Sequence, residues 1–192
     1  CLFNQASAWA YLGLHDEAAT AYEHASTLMK ECASSDGWET AMREECWRSL
    51  GDVYLRMGKY DEAQSVLRRA LESSSARPGQ ASGEAECCVS IAGILERKAE
   101  FQEGLKQLNR AVRLARSFPV DPPTMRKCSS TFALVLFRMG RYDEALARLD
   151  QDTTGGSRWD QEWLRGRILA ARNMPGDTTR AIQVIQGQGM PL

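Results

Sequence analysis

One short pattern returns along this chain in the same setting. It reads GLHDEA at Gly13–Ala18, GKYDEA at Gly58–Ala63 and GRYDEA at Gly140–Ala145. KAEFQEG at Lys98–Gly104 is a degenerate copy with Phe101 in the Tyr position, and PGDTTRA at Pro175–Ala181 is a weaker one. The aligned small residues Ala18, Ala63, Gly104, Ala145 and Ala181 stand 45, 41, 41 and 36 residues apart. Recurrence at such a period marks a repeat architecture. Each unit is then one supersecondary element that buries its apolar face only against its neighbours.

The unit itself is clearest between Glu45 and Ser73. Trp47, Leu50, Tyr54 and Met57 recur at three- and four-residue steps before a polar turn at Met57-Gly58-Lys59. Ala63, Val66, Leu67, Ala70 and Leu71 do the same after it. Two amphipathic helices with one apolar stripe each follow from that periodicity. The turns within units are short, whereas the connections between units (ASSDGWET, SSSARPGQASG, FPVDPPT, DTTGGS) collect the Gly, Pro and Ser that end helices. The expected units are residues 1–38, 39–82, 83–122, 123–157 and 158–192, the last degenerate. Asp or Thr near each second-helix start is expected to cap it through free backbone N–H groups. Pro123 suits a first helical turn, and Pro175 should stop the helix before it.

Trp47, Leu50, Gly51 and Tyr54, followed by Gly58, Tyr60, Ala63 and Ala70, resemble the tetratricopeptide repeat (TPR) pattern W-x2-L-G-x2-Y…A. Leu67 stands where that family often has Phe, and Ser75 where it has Pro. The period exceeds the family's usual value of about 34. In that respect the chain is similar to longer-repeat members such as kinesin light chain. The resemblance implies an all-α, right-handed superhelical solenoid of stacked antiparallel helix pairs. Gly51 and Ala63 would let paired helices approach closely, with Trp47 and Tyr54 filling the space beside them.

Composition narrows the function. Twenty-four basic and 25 acidic residues leave a formal net charge of −1, without the electrostatic footprint of a nucleic-acid binder. No apolar run is long enough to span a bilayer, so no membrane insertion is expected. Phosphate-loop and nucleophile signatures are absent from the sequence, and His15 and His24 read as ordinary surface or packing residues. The recurring Asp-Glu pairs (Asp16-Glu17, Asp61-Glu62, Asp143-Glu144) lie in first turns, where the helix dipole favours them. No catalytic residue, metal site or cofactor is expected. The six cysteines lack C-x2-C spacing and read as free buried thiols of a reducing compartment, cytoplasmic or organellar. Cys46, Cys87 and Cys128, 41 residues apart, read as small contacts at repeat interfaces. The start at Cys1, inside a helical pattern, suggests a processed or partial chain.

The expected function is therefore a non-catalytic adaptor or scaffold that binds a protein or peptide partner. The alternatives are a structural subunit of a larger complex and the regulatory arm of a larger enzyme. The resemblance places the partner in a concave groove lined by the first helix of each unit. Its groove positions here are Glu45, Arg48, Asp52 and Leu55; Glu86, Val89, Gly93 and Glu96; Lys127, Ser130, Leu134 and Phe137; and Trp163, Gly166, Ala170 and Asn173. Arg56, Arg97 and Arg138, again 41 residues apart, add a guanidinium ladder suited to carboxylates or phosphates. The strongest candidates are Arg48, Asp52, Leu55, Arg56, Arg97, Lys127, Leu134, Phe137 and Arg138. A clamp for a C-terminal carboxylate is not expected, because its Asn positions hold Asp52, Gly93 and Leu134.

Overall fold

Apolar residues at helical spacing, interrupted by a glycine turn and then resumed, produce hairpins of helices. The computed structural model describes residues 2–31, 38–77, 79–151 and 159–186. Cys1 and Cys32, and most of the connections ASSDGWET and DTTGGS, lie outside the described residues. Among the described residues are ten helices and no strand. They are α1 (Leu2–Tyr11), α2 (His15–Glu31), α3 (Trp38–Arg56), α4 (Tyr60–Ser75), α5 (Ala81–Arg97), α6 (Phe101–Ser117), α7 (Pro122–Arg138), α8 (Tyr142–Asp150), α9 (Trp159–Arg172) and α10 (Asp177–Gln186). Each odd-numbered helix (A) packs on the even-numbered helix (B) that follows it, and each B helix from α2 to α8 packs on the next A helix. The result is an all-helical solenoid.

The A-to-B turns share one backbone device. Leu14, Lys59, Glu100 and Arg141 donate their N–H groups to the carbonyls of Trp9, Tyr54, Leu95 and Leu136, five residues back. That bond closes a Schellman motif, which needs a left-handed residue just past the helix. Gly13, Gly58 and Gly140 supply it at φ 80°, 73° and 75°. Unit three has Ala99 there, at φ 60°. A Cβ in that region costs about 1–2 kcal/mol, of which glycine's extra unfolded-state freedom offsets about 0.5–1 kcal/mol. Ala99→Gly is therefore expected to stabilise the fold by about 0.5–1 kcal/mol, read from urea unfolding.

The caps differ from expectation. Lys59, Glu100 and Arg141 occupy the N-cap positions of α4, α6 and α8 without a side-chain cap bond. The recurring aspartates instead reach the A helix or turn of the next unit: Asp16 pairs with Lys59 at 3.9 Å, Asp61 with Lys98 at 2.9 Å and Asp143 with Arg172 at 2.6 Å. A helix's first turn leaves its acidic side chains pointing at whatever cation the neighbouring turn presents. All three aspartates are mostly exposed, and pairs of that kind add little net stability. A side-chain cap does occur at α7, where Asp121 accepts the Thr124 N–H at 2.8 Å ahead of the prolines of its first turn.

The core is continuous through the stack. One cluster runs from Trp47, Leu67 and Leu71 through Ile91, Leu95 and Leu108 to Leu136, Leu149 and Ile168. A second joins Ala6, Ala18, Tyr22 and Ala25 to Cys46, Leu50 and Val53, and Tyr54 and Val66 pack against both. Gly51 sets the closest approach, since a Cβ there would lie 2.6 Å from Cγ of Leu67. Cys46, Cys87 and Cys128 are buried between helices as small packing residues. Burial pushes the thiols of Cys46, Cys87 and Cys88 up to about 11, 12 and 12. A raised value keeps them protonated at neutral pH, and the thiolate is the reactive species. Iodoacetamide at pH 8 should leave these three unmodified in the native protein and label them in denaturant, by peptide mass spectrometry.

Candidate functional site

The A helices lie side by side: α1 with α3, α3 with α5, α5 with α7, α7 with α9. Their outward residues form one strip, and most of the residues expected there reach it. Arg48, Leu55, Leu134 and Phe137 are partly buried on it, while Asp52, Arg56, Arg97, Lys127 and Arg138 are exposed. Three positions are buried instead: Val89 in the core, Glu96, whose carboxylate pairs with Arg138, and Gly166. Val89 joins the apolar cluster that runs through α5, and in unit five the carried-over register falls on a buried position at Gly166.

The charges on the strip are largely satisfied within it. Arg48 pairs with Glu45 on its own helix and with Glu86 of α5 at 3.1 Å. Burial opposes the Arg48 charge, and the two carboxylates outweigh it, holding the guanidinium above its ordinary range. Lys127 reaches Asp52 at 3.9 Å and donates to Ser90 Oγ at 3.1 Å. Arg138 pairs at 3.4 Å with the buried carboxylate of Glu96.

The guanidinium ladder is thus not uniform. Arg56, Arg97 and Arg138 are the last residues of α3, α5 and α7. Arg138 is neutralised by the neighbouring helix, whereas Arg56 and Arg97 make no ion pair among the described residues. Two cations at one rim therefore stand exposed without an ion pair among the described residues.

At the α9 end sits a group of which the carried-over positions named Phe137 and Trp163 and missed Arg167 and Tyr142. Arg167 lies over the rings of both Phe137, at 5.3 Å, and Trp163, at 4.6 Å, and Phe137 also meets Tyr142 with ring centroids 6.0 Å apart. Trp163 is exposed. Trp163 and Arg167, four residues apart on a helix, share a face; that spacing was the available signal. Chemically, this end of the strip offers flat aromatic surface and cations, and the α3 end offers mixed charge.

The strip is built from cations, carboxylates and apolar side chains. No group of three or more His, Cys, Asp or Glu residues among the described residues could hold a metal ion. No described helix is long and apolar enough to cross a membrane.

Comparison with known proteins agrees with the fold. Residues 43–117 match the tetratricopeptide repeat family. A single-residue variant of a proposed kinesin light chain from Podosopora anserina, with nearly identical TPR-like repeats, superposes with a TM-score of 0.72 at 15% identity, covering 97% of this chain and 90% of that one. A second structure of that Podosopora anserina protein gives a TM-score of 0.69 at 16% identity over 96% of this chain and 90% of that one. No curated protein matches the sequence. Residues 43–117 thus form a tetratricopeptide repeat segment, and the chain as a whole shares the fold of TPR-like repeat structures. Repeats of this kind are in general protein–protein interaction modules, and the fold is typically non-catalytic.

Proposed function

We propose that the chain is an adaptor that holds an extended or helical segment of a partner protein along the strip formed by α3, α5, α7 and α9. The observation that carries this reading is the pair Arg56 and Arg97: exposed, 41 residues apart, in line, and without an ion-pair partner among the described residues. The apolar side chains Leu55, Leu134 and Phe137 lie partly exposed on the same strip and supply anchors. Arg48, Asp52, Lys127 and Arg138 set the register, because each must exchange an internal partner for an external one. Main-chain length and alternate anchors along a groove are the usual means by which such surfaces select segments. The test is a triple variant, Arg56→Ala with Arg97→Ala and Arg138→Ala, compared with the wild type in quantitative co-purification. Partner proteins held by the wild type should be depleted from the triple variant and retained by a control, Arg113→Ala with Arg116→Ala, on α6. Equal recovery by the triple variant contradicts the groove assignment.

A second reading has its own observation. The turn of unit one exposes Tyr11 at 90%, Leu12 at 69% and Leu14 at 42%, where units two to four carry Arg, Lys and Glu among their residues. An apolar tip suits a permanent contact within a larger assembly. Sizing of the isolated chain separates the two: a stable monomer favours the adaptor, and association that Tyr11→Ser with Leu12→Ser abolishes favours the subunit.

A further inference from the structure

The strip has one gap, on α5. At the level where α3 carries Asp52 and α7 carries Leu134, 41 residues on either side, α5 carries Gly93. A Cβ at Gly93 would meet no heavy atom within 4 Å, so the absence of a side chain there is not required by packing. One turn earlier stands Ser90, also small. Across this low stretch Lys127 of α7 reaches Asp52 of α3, 3.9 Å away, while its ammonium donates to Ser90 Oγ at 3.1 Å. α3 and α7 do not pack against each other. Their side chains meet only because α5 places nothing tall between them.

The chain's own lysine therefore lies where a long cationic side chain fits. Its hold is weak, with Lys127 and Asp52 about equally exposed, at 50% and 51%; such pairs contribute little net attraction. The surroundings would accept another cation. Around the gap stand Glu45, Asp52 and Glu86 against Arg48 and Lys127, three carboxylates to two cations. Burial raises the Glu86 carboxyl; Arg48 and Lys127 oppose the rise, and Glu45 and Asp52 add to it.

Resting on the groove reading above, we propose that the gap over Gly93 is a subsite for a lysine or arginine side chain of the bound segment, which displaces Lys127 from Asp52. The stem of such a side chain lies along Leu55 and Leu134 while its head reaches the carboxylate, the usual posture of an amphipathic cation. The site would thus read a basic residue between the two unpaired rim arginines and the aromatic end of the strip. It gives the segment a basic position inside a surface whose rim favours acids.

The probe is a set of fluorescein-labelled nonapeptide pools, random except for a central residue fixed as Lys, Arg, Leu or Asp, titrated onto the full chain by anisotropy. The Lys and Arg pools should bind about 5-fold more tightly than the Asp pool, the factor that about 1 kcal/mol provides. Asp52→Asn should erase that preference, and Lys127→Met, which vacates the gap, should strengthen the Lys and Arg pools. Gly93→Leu should weaken those same pools while the protein melts no lower than the wild type, because leucine is the better helix former, its Cβ meets no heavy atom within 4 Å and the exposed Lys127 side chain can swing into water. Weak binding with an undiminished melting temperature is not a folding defect. Equal affinity for Lys and Asp pools, or a preference that survives Asp52→Asn, overturns the subsite and leaves the groove standing. If no pool binds the wild type better than it binds the triple arginine variant, the groove reading fails and the subsite with it.

Discussion

Leu67→Ala is expected to destabilise the protein by about 2–5 kcal/mol. Leu67 is 1% exposed and sits against the backbone of Gly51, with its Cγ 2.6 Å from the place a Cβ would occupy. Removing its branched end leaves a void between α3 and α4 that two helices of one hairpin cannot close without also losing their contacts to α2 and α5. In a solenoid, a weakened unit weakens both of its interfaces. The converse change overpacks the same site: Gly51→Ala should cost about 1–3 kcal/mol, because Leu67 must move out of a filled core. The two together should cost less than their sum, since a methyl at position 51 enters the space that the shortened residue 67 vacates. Neighbours sharing a cavity couple by about 0.5–3 kcal/mol. A urea double-mutant cycle measures this, and strict additivity would mean that the two residues do not share the contact. Units three and four carry Ala92 and Ala133 at the positions equivalent to Gly51, with Leu108 and Leu149 equivalent to Leu67.

Removing Glu44 is the second large effect. Its carboxylate is 1% exposed, accepts from Ser73 Oγ at 2.5 Å and pairs with Arg77, fastening the middle of α3 to the end of α4 and the connection beyond it. Breaking a buried pair costs about 3–5 kcal/mol when the surviving charge is stranded. Arg77 is 27% exposed and can turn into water, so Glu44→Ala should cost about 2–3 kcal/mol, the range of hydrogen bonds to a charged group. Glu44→Gln keeps an acceptor for Ser73 and should recover part of the loss, whereas Ser73→Ala in the wild type should cost about 1 kcal/mol. Thermal and urea unfolding of the three variants checks the order: Ala worst, Gln intermediate, Ser73→Ala mildest.

What could be read before the structure follows from what repeats. The short turns within units were legible because glycine recurs in them, at Gly13, Gly58 and Gly140. The close approach at Gly51 was legible for the same reason, as a small residue at a fixed place in an apolar stripe. Contacts between units were not. That Glu96 neutralises Arg138 but no neighbour neutralises Arg56 or Arg97 depends on side chains about 40 residues apart, in positions where the repeat leaves residue type open. The same holds for Lys127 crossing to Asp52 over Gly93, a contact made possible by a missing side chain on a third helix. The missing B-helix caps have a local cause: the aspartates one or two residues inside the helix have cations of the next unit within reach. In unit five the signature residues are absent, so the register carried onto α9 selected Gly166, which is buried, and passed over Arg167, which stacks between Trp163 and Phe137.

Photocrosslinking tests the account at its centre. p-Benzoylphenylalanine introduced at Leu55 or at Phe137, on the A-helix strip, should crosslink to the same partner polypeptide, and the product should disappear in the Arg56, Arg97 and Arg138 triple alanine background. The same probe at Asn109 on α6 should give none. Crosslinks to a partner from Asn109 or from Leu12 but from neither strip position would contradict it.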